Sequence, residues 1–174
     1  MTGLWAARLD EGYLFGGLPA VAVETLKGVP MLLESTDARV RRRLLPETCD
    51  TPEDEEHWRQ HAVPELERLF LSRAQLVRRD LGSLQKLGFD GSSALLIPHE
   101  HSSAWLAALN AARLALFVLN DLGAKDLEGD RFDALKPKQQ EAVARIDLLA
   151  AIQAVLLGDF EVEDGGSIHD FVIE

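Results

Sequence analysis

The sequence predicts a mainly α-helical fold: a helical bundle around two buried long helices, with a small antiparallel sheet. Three observations lead to this prediction. Two long segments, at about 102–122 and 137–157, are apolar nearly all round, which is typical of buried helices. A strong helix start stands at Thr51-Pro52. Two short apolar runs flank the turn-prone Asp10-Glu11-Gly12, which indicates an N-terminal hairpin.

The length of 174 residues suits one domain that spans residues 1–174. A content of 47% hydrophobic and 27% charged residues is ordinary for a soluble globular protein. The acidic C-terminal stretch, residues 159–174, is interpreted as a tail. It is either flexible or docked through Phe171, Val172 and Ile173.

The remaining elements follow from caps and breakers. A helix that starts at Leu18-Pro19 should kink or break at Gly28 and Pro30. A short helix follows, with Asp37 near its start and Pro46 after its end. The helix that Thr51 caps should give way to a second start at Pro64.

The second of these helices should run to Gly88. Residues 94–97 resemble a strand, and a third strand would make the hairpin more stable than a hairpin alone.

The net charge of −11 disfavours nucleic acid and anionic membranes as partners. The basic cluster of Arg39 and Arg41, Arg42 and Arg43 is interpreted as a solvated helix face, and a phosphate or nucleic-acid patch is the alternative. A single cysteine, Cys49, fits a reducing compartment. Because neither a signal peptide nor a membrane span is recognisable, we expect a cytoplasmic protein.

The stretch "PHEHSSAW" raises the question of a metal site at His99 and His101. A zinc site needs further ligands, and no nearby Cys or His supplies them. His57 and His61 form a separate pair with helical spacing. We therefore predict no metal and no cofactor. The stretch is interpreted as a strand-to-helix junction that Ser102 or Ser103 caps.

Polar residues interrupt the two long apolar helices. Asn110 and Arg113 lie on the first and Asp147 on the second, among apolar neighbours. A buried arginine requires an acceptor, so we predict that Arg113 pairs with Asp147 and that Asn110 completes the network. Such a pair fixes the register of two helices, or it lines a pocket for a ligand. These three residues are the candidate ligand-binding site, and no catalytic residue is predicted.

Within the first apolar helix, Trp105-Leu106, Leu109-Asn110 and Arg113-Leu114 form a pattern of some specificity. This pattern resembles W-L-x-x-L-N-D-x-R-L of an actinobacterial family, the domain of unknown function DUF2017, with Ala111 in place of the Asp. The resemblance extends from about Asp10 to Gln153. The family has no established activity. Its genes often lie near an adaptor of the Clp protease, and the resemblance therefore implies a regulatory or protein-handling role.

Three functional hypotheses follow. The first is a non-catalytic protein-binding or regulatory module, which binds a protein partner or itself through exposed apolar residues. The second is a small-ligand receptor or an enzyme that uses Asn110, Arg113 and Asp147. The third is a DNA-binding regulator whose recognition helix carries Arg39 to Arg43.

Overall fold

The computed structural model describes residues 3–88, 91–159 and 163–164. Five α-helices dominate it: α1 (Ala20–Leu33), α2 (Ala38–Leu44), α3 (Pro52–Leu81), α4 (Ser102–Leu119) and α5 (Pro137–Leu157). The strands are β1 (Trp5–Arg8), β2 (Gly12–Leu18), β3 (Gln85–Leu87), β4 (Ser92–Pro98) and β5 (Glu163–Asp164). Short 3₁₀ turns precede α4 (His99–His101) and connect α4 to α5 (Ala124–Leu127 and Gly129–Ala134). Most of the predicted acidic tail lies outside the described residues.

The sheet has the order β3-β4-β2-β1-β5. The predicted hairpin is confirmed, since β1 pairs antiparallel with β2 and Trp5 lies opposite Gly16. The predicted third strand is also confirmed as β4, which pairs antiparallel with β2. A Cβ at Gly16 would overlap the Trp5 indole ring, so glycine is needed there for the tryptophan to lie across the strand. The edge strands β3 and β5 were not predicted, because three and two residues are too short to give a pattern.

The predicted second helix start at Pro64 is wrong, and the predicted break at Pro30 does not occur, whereas a kink there stays a prediction. The helix α1 continues through Pro30, and α3 continues through Pro64. Within α1, Pro30 is buried, and burial of its ring offsets the hydrogen bond that a proline cannot donate. The helix α3 also ends earlier than predicted, at Leu81, because residues 85–87 form β3. The caps at Asp37 and Thr51 are confirmed.

The core lies between one face of the sheet and the helices. Its largest fully buried side chains come from every layer: Phe15, Leu18, Leu26, Leu95, Ile97, Trp105, Leu109, Leu149 and Ile152. Helix α4 lies in the middle of the molecule and contacts α1, α2, α3 and α5. A second, smaller apolar cluster covers the other face of the sheet, around Ala7, Leu9, Leu14 and Ala94.

The prediction of a bundle around two buried long helices is not confirmed. The fold is mainly helical with a small sheet, and only α4 has a central position. Helix α5 buries one stripe, whereas Asp147 and Ala151 are exposed. The cause is that small alanines make a helix look apolar all round, although an exposed alanine costs little.

By length and composition alone, the segment His99–Leu119 could cross a membrane, with a mean hydropathy of 1.5. A core helix of a soluble protein passes the same test. Here α4 packs against four helices, with Trp105 and Leu109 fully buried. The segment is therefore only weak evidence for a membrane span.

Candidate functional site

The structure does not bring the three predicted site residues together. Asn110 and Asp147 are exposed, and Arg113 is half-buried. The Arg113 Nη1 donates to Gln153 Oε1 at 2.7 Å, and Gln153 Nε2 donates to the carbonyl oxygen of Leu106 at 3.1 Å. The predicted pairing of Arg113 with Asp147 is therefore wrong, because Asp147 faces solvent and an amide serves as the acceptor. A ligand-binding role for the three residues stays a prediction.

A buried polar cluster lies instead where α3 ends and α4 begins. The carboxylate of Asp80, on the last turn of α3, is only 7% exposed. It accepts a hydrogen bond from Trp105 Nε1 at 2.9 Å and lies 2.8 Å from His101 Nδ1. A buried carboxylate needs such donors, because an unpaired charge in the core costs several kcal/mol.

The partners of His101 determine what this cluster can do. Its Nε2 lies 3.1 Å from Nη2 of Arg79, and a guanidinium only donates. We therefore assign the imidazole proton to Nδ1, which donates to Asp80, and Nε2 accepts from Arg79. A base needs a free lone pair, and here that lone pair is occupied. The cluster ties α3 to α4, and it explains the "HEH" stretch as a structural junction.

The predicted serine cap at this junction is wrong. His101 occupies the cap position of α4, and its side chain makes no capping hydrogen bond. The hydroxyl of Ser102 donates to the carbonyl oxygen of Pro98 at 3.4 Å. The side chain of His99 contacts a different part of the chain, with Nε2 2.9 Å from the carbonyl oxygen of Leu9.

Among the described residues, no group of three or more His, Cys, Asp or Glu side chains could hold a metal ion.

The most unusual surface is the first part of α3, residues 52–73, which we call the α3 arm. None of its residues is buried, whereas Ala74, Val77, Asp80 and Leu81 of the following segment are. The arm nevertheless carries seven apolar side chains other than its prolines: Trp58, Ala62, Val63, Leu66, Leu69, Phe70 and Leu71. Leu69 and Leu71 are each 47% exposed. Phe70 packs partly buried against the core, and the apolar residues of the arm other than these two leucines are half-buried. The two exposed leucines make the arm a candidate interaction surface.

Polar contacts hold the arm to the rest of the molecule. The Glu55 carboxylate accepts hydrogen bonds from the backbone N–H groups of Thr48 and Cys49, both at 3.0 Å. The Thr48 N–H lowers the pKa of Glu55 most, and the Cys49 N–H and Arg59 add to this effect. Arg41 of α2 forms an ion pair with Glu67. These contacts position the arm, but they bury little apolar surface.

A groove separates the arm from α2. It is open, has a volume of about 700 Å³, and is lined by three arginines and by two apolar residues, namely Arg41, Arg42, Arg59, Leu45 and Val63. Arg41 and Arg59 are paired with acids, as is Arg39, which contacts Asp37 and Asp121. The interpretation of the basic cluster as a solvated face that is paired with acids therefore holds for Arg39 and Arg41.

A second apolar surface lies between α1 and α5. Two adjoining depressions, of about 370 Å³ and 270 Å³, share Thr25 and Arg145. Val21 and Met31, which are 56% and 71% exposed, lie on its α1 side. The Thr25 hydroxyl already donates to the carbonyl oxygen of Val21 at 2.8 Å. The surface is mainly apolar, and Arg145 Nη2 is paired with Glu141, whereas Arg145 Nε is buried without a hydrogen-bond partner.

Sequence comparison assigns the chain to a family. A model of the domain of unknown function DUF2017 matches residues 14–158. The chain belongs to the DUF2017 family. No curated protein and no solved structure matches the chain. The residues that the DUF2017 model matches include the whole α3 arm and the cluster of Asp80, His101 and Trp105.

The sequence reasoning missed both of these features. Asp80 lies 21 residues from His101 and 25 from Trp105, so no local pattern connects them. The arm did leave a signal: Leu69 and Leu71 are two residues apart and project about 200° apart on a helix, so one packed face cannot bury both.

Proposed function

We propose that this DUF2017 protein is a non-catalytic protein-binding module, and that it binds its partner through the α3 arm. The observation that carries the proposal is that residues 52 to 73 contain no fully buried residue and expose Leu69 and Leu71, each at 47%. Apolar side chains that are exposed in a continuous helical segment favour association with another protein surface.

The arm also needs external support for energetic reasons. A proline in a helix interior costs about 3 kcal/mol, and Pro64 lies in the middle of the arm. Most helices in proteins are stabilised by burial of an apolar face, and the arm has only partial burial, at residues such as Phe70. A partner that covers Leu66, Leu69 or Leu71 would supply the missing apolar contact.

Other features favour a protein as the partner. The net charge of −11 opposes contact with phosphate backbones, and the acids that pair with Arg39 and Arg41 weaken the case for DNA binding. Because Nε2 of His101 accepts from Arg79, the buried cluster lacks a free base, which favours a non-catalytic role. We retain the cytoplasm as the proposed location.

Site-specific photo-crosslinking in living cells tests the proposal. A photoreactive phenylalanine analogue at position 69 should give discrete protein adducts of defined mass. The matched control is the same analogue at position 157, because Leu157 is also an exposed leucine, at 62%, near the end of α5. The adducts from position 69 should disappear when Leu66→Asp is added. Identical weak backgrounds from both positions would contradict the proposal.

A further inference from the structure

We propose that the partner of the α3 arm is the α3 arm of a second copy of this chain, in antiparallel orientation. This inference rests on the proposed function and specifies its partner. Charge is distributed unevenly along α3. Residues 52–66 contain five acidic residues and one arginine, whereas residues 67–81 contain two acidic residues and four arginines. One end of the helix therefore has a net charge of −4 and the other end +2.

Such a helix is complementary to itself in only one orientation. Two parallel copies would place acidic end against acidic end. Two antiparallel copies, related by a two-fold axis, place each acidic end against the basic end of the other copy. A contact of this kind is closed, because the same surface serves both copies, so it produces dimers rather than filaments.

One face of the arm is suited to this contact. Asp54, Trp58, Ala62, Glu65, Leu69 and Arg73 follow one another at intervals of three or four residues, so they share a face. The grooves beside α2 are lined from the arm by Arg59, Val63 and Phe70 among others. Leu69 projects about 100° away from Phe70 around the helix. The face of Leu69 is therefore directed away from the groove.

The register follows from the apolar residues in the middle. When Leu66 of one copy lies against Leu69 of the other, position 79 of the second copy is level with position 56 of the first. Asp54 then lies two residues from the level of Arg79 of the second copy, and Glu65 lies three residues from the level of Arg73, so both distances are within one turn. None of the described carboxylates pairs with Arg73, and Glu65 is held only by the exposed Arg68. Glu65 and Arg73 are therefore available to pair across the two-fold axis, whereas Arg79 also donates to His101 and Asp54 also accepts from Thr51.

The size of the contact sets the expected strength. The arm is about 33 Å long, so a single helix–helix contact is small among specific interfaces. We expect dissociation constants of about 10–100 µM, and association that weakens as salt screens the charges.

Sedimentation equilibrium of the purified full-length chain and a charge-swap cycle test the inference. The wild-type chain should shift from 19.2 kDa towards twice that mass between about 1 µM and 1 mM. Glu65→Lys places like charges in both symmetry-related pairs of the dimer, and so does Arg73→Glu. Arg79 and Asp54 are left unchanged, because they also contact His101 and Thr51 within the chain. Each variant alone should dissociate at least about 10 times more readily. An equimolar mixture of the two should associate as strongly as the wild type or more strongly, because opposite charges face each other again.

Leu69→Glu should also abolish association, whereas Leu157→Glu, the matched control, should leave it unchanged. Near-ultraviolet circular dichroism and the thermal midpoint identify any variant that fails to fold. The inference is overturned if the wild type stays monomeric at about 1 mM, or if the mixture of charge variants fails to associate. A monomer whose position 69 still crosslinks to a different protein retains the proposed function without the dimer. A monomer whose position 69 gives no crosslinked adducts would contradict both the dimer and the proposed function.

Discussion

The two ends of α3 differ in what stabilises them, although they belong to one continuous helix. Residues 74–81 bury Ala74, Val77, Asp80 and Leu81 against the body. Residues 52–73 contain no fully buried residue, and apart from partly buried side chains such as Phe70 they depend on polar ties such as Glu55 with Thr48 and Cys49. The length of a helix therefore does not show how much of it is packed against the rest of the molecule. One end of the helix is part of the core, and the other is a surface available to a partner.

The largest expected difference is between two identical substitutions on the same helix. Leu81→Ala removes a side chain that is 8% exposed and should lower the free energy of unfolding by about 2–4 kcal/mol. Leu69→Ala removes one that is 47% exposed and should change it by less than about 0.5 kcal/mol at low protein concentration. Urea denaturation measures both. Equal losses would show that the body supports the arm as well as it supports residues 74–81.

The second-largest loss of stability is expected at the cluster of Asp80, His101 and Trp105 at the end of α3. Asp80→Asn weakens the hydrogen bonds to Trp105 Nε1 and His101 Nδ1, and we expect a loss of about 1–3 kcal/mol. Trp105→Phe removes the indole donor. A double-mutant cycle of Asp80→Asn and Trp105→Phe then separates the contribution of the indole hydrogen bond from that of the imidazole. A fully additive cycle would mean that Asp80 and Trp105 are not coupled.

Regular patterns made part of this fold predictable. The hairpin, the strand β4, the caps at Asp37 and Thr51 and the two long apolar helices were all recognised, because each depends on neighbouring residues. Proline was given too much weight, since burial of Pro30 was not visible in the sequence. The partner of Arg113 was also missed. Its acceptor Gln153 lies 40 residues away, and a buried arginine is expected to pair with a carboxylate such as Asp147 before an amide.

A smaller effect is expected at the contact between α4 and α5, which is packed along its length. Arg113→Met removes the hydrogen bond to Gln153 and should cost about 0.5–1.5 kcal/mol. In double-mutant cycles, Arg113→Met should couple to Gln153→Leu and be additive with Asp147→Leu. Coupling of Arg113 to Asp147 instead would support the ion pair that the sequence predicted.

The smallest effect concerns pH and the polar ties of the arm. Because the N–H groups of Thr48 and Cys49 lower the pKa of Glu55, its ionised form stabilises the folded state. This contribution is present above the pKa of an unfolded glutamate and is lost as pH falls through the lower folded value. Glu55→Gln should therefore be less stable than wild type near neutral pH and nearly equal to it in acid. A constant difference across a pH series from 7 to about 3 would contradict this.

Amide hydrogen exchange of the purified chain, followed along α3 at several protein concentrations, tests the central claim most directly. Our account predicts that residues 74–81 exchange slowly at every concentration. Residues 52–73 should exchange rapidly in dilute solution and more slowly as the concentration rises, because a second copy covers them. Slow exchange of residues 52–73 in dilute solution, equal to that of residues 74–81 and independent of concentration, would contradict the account.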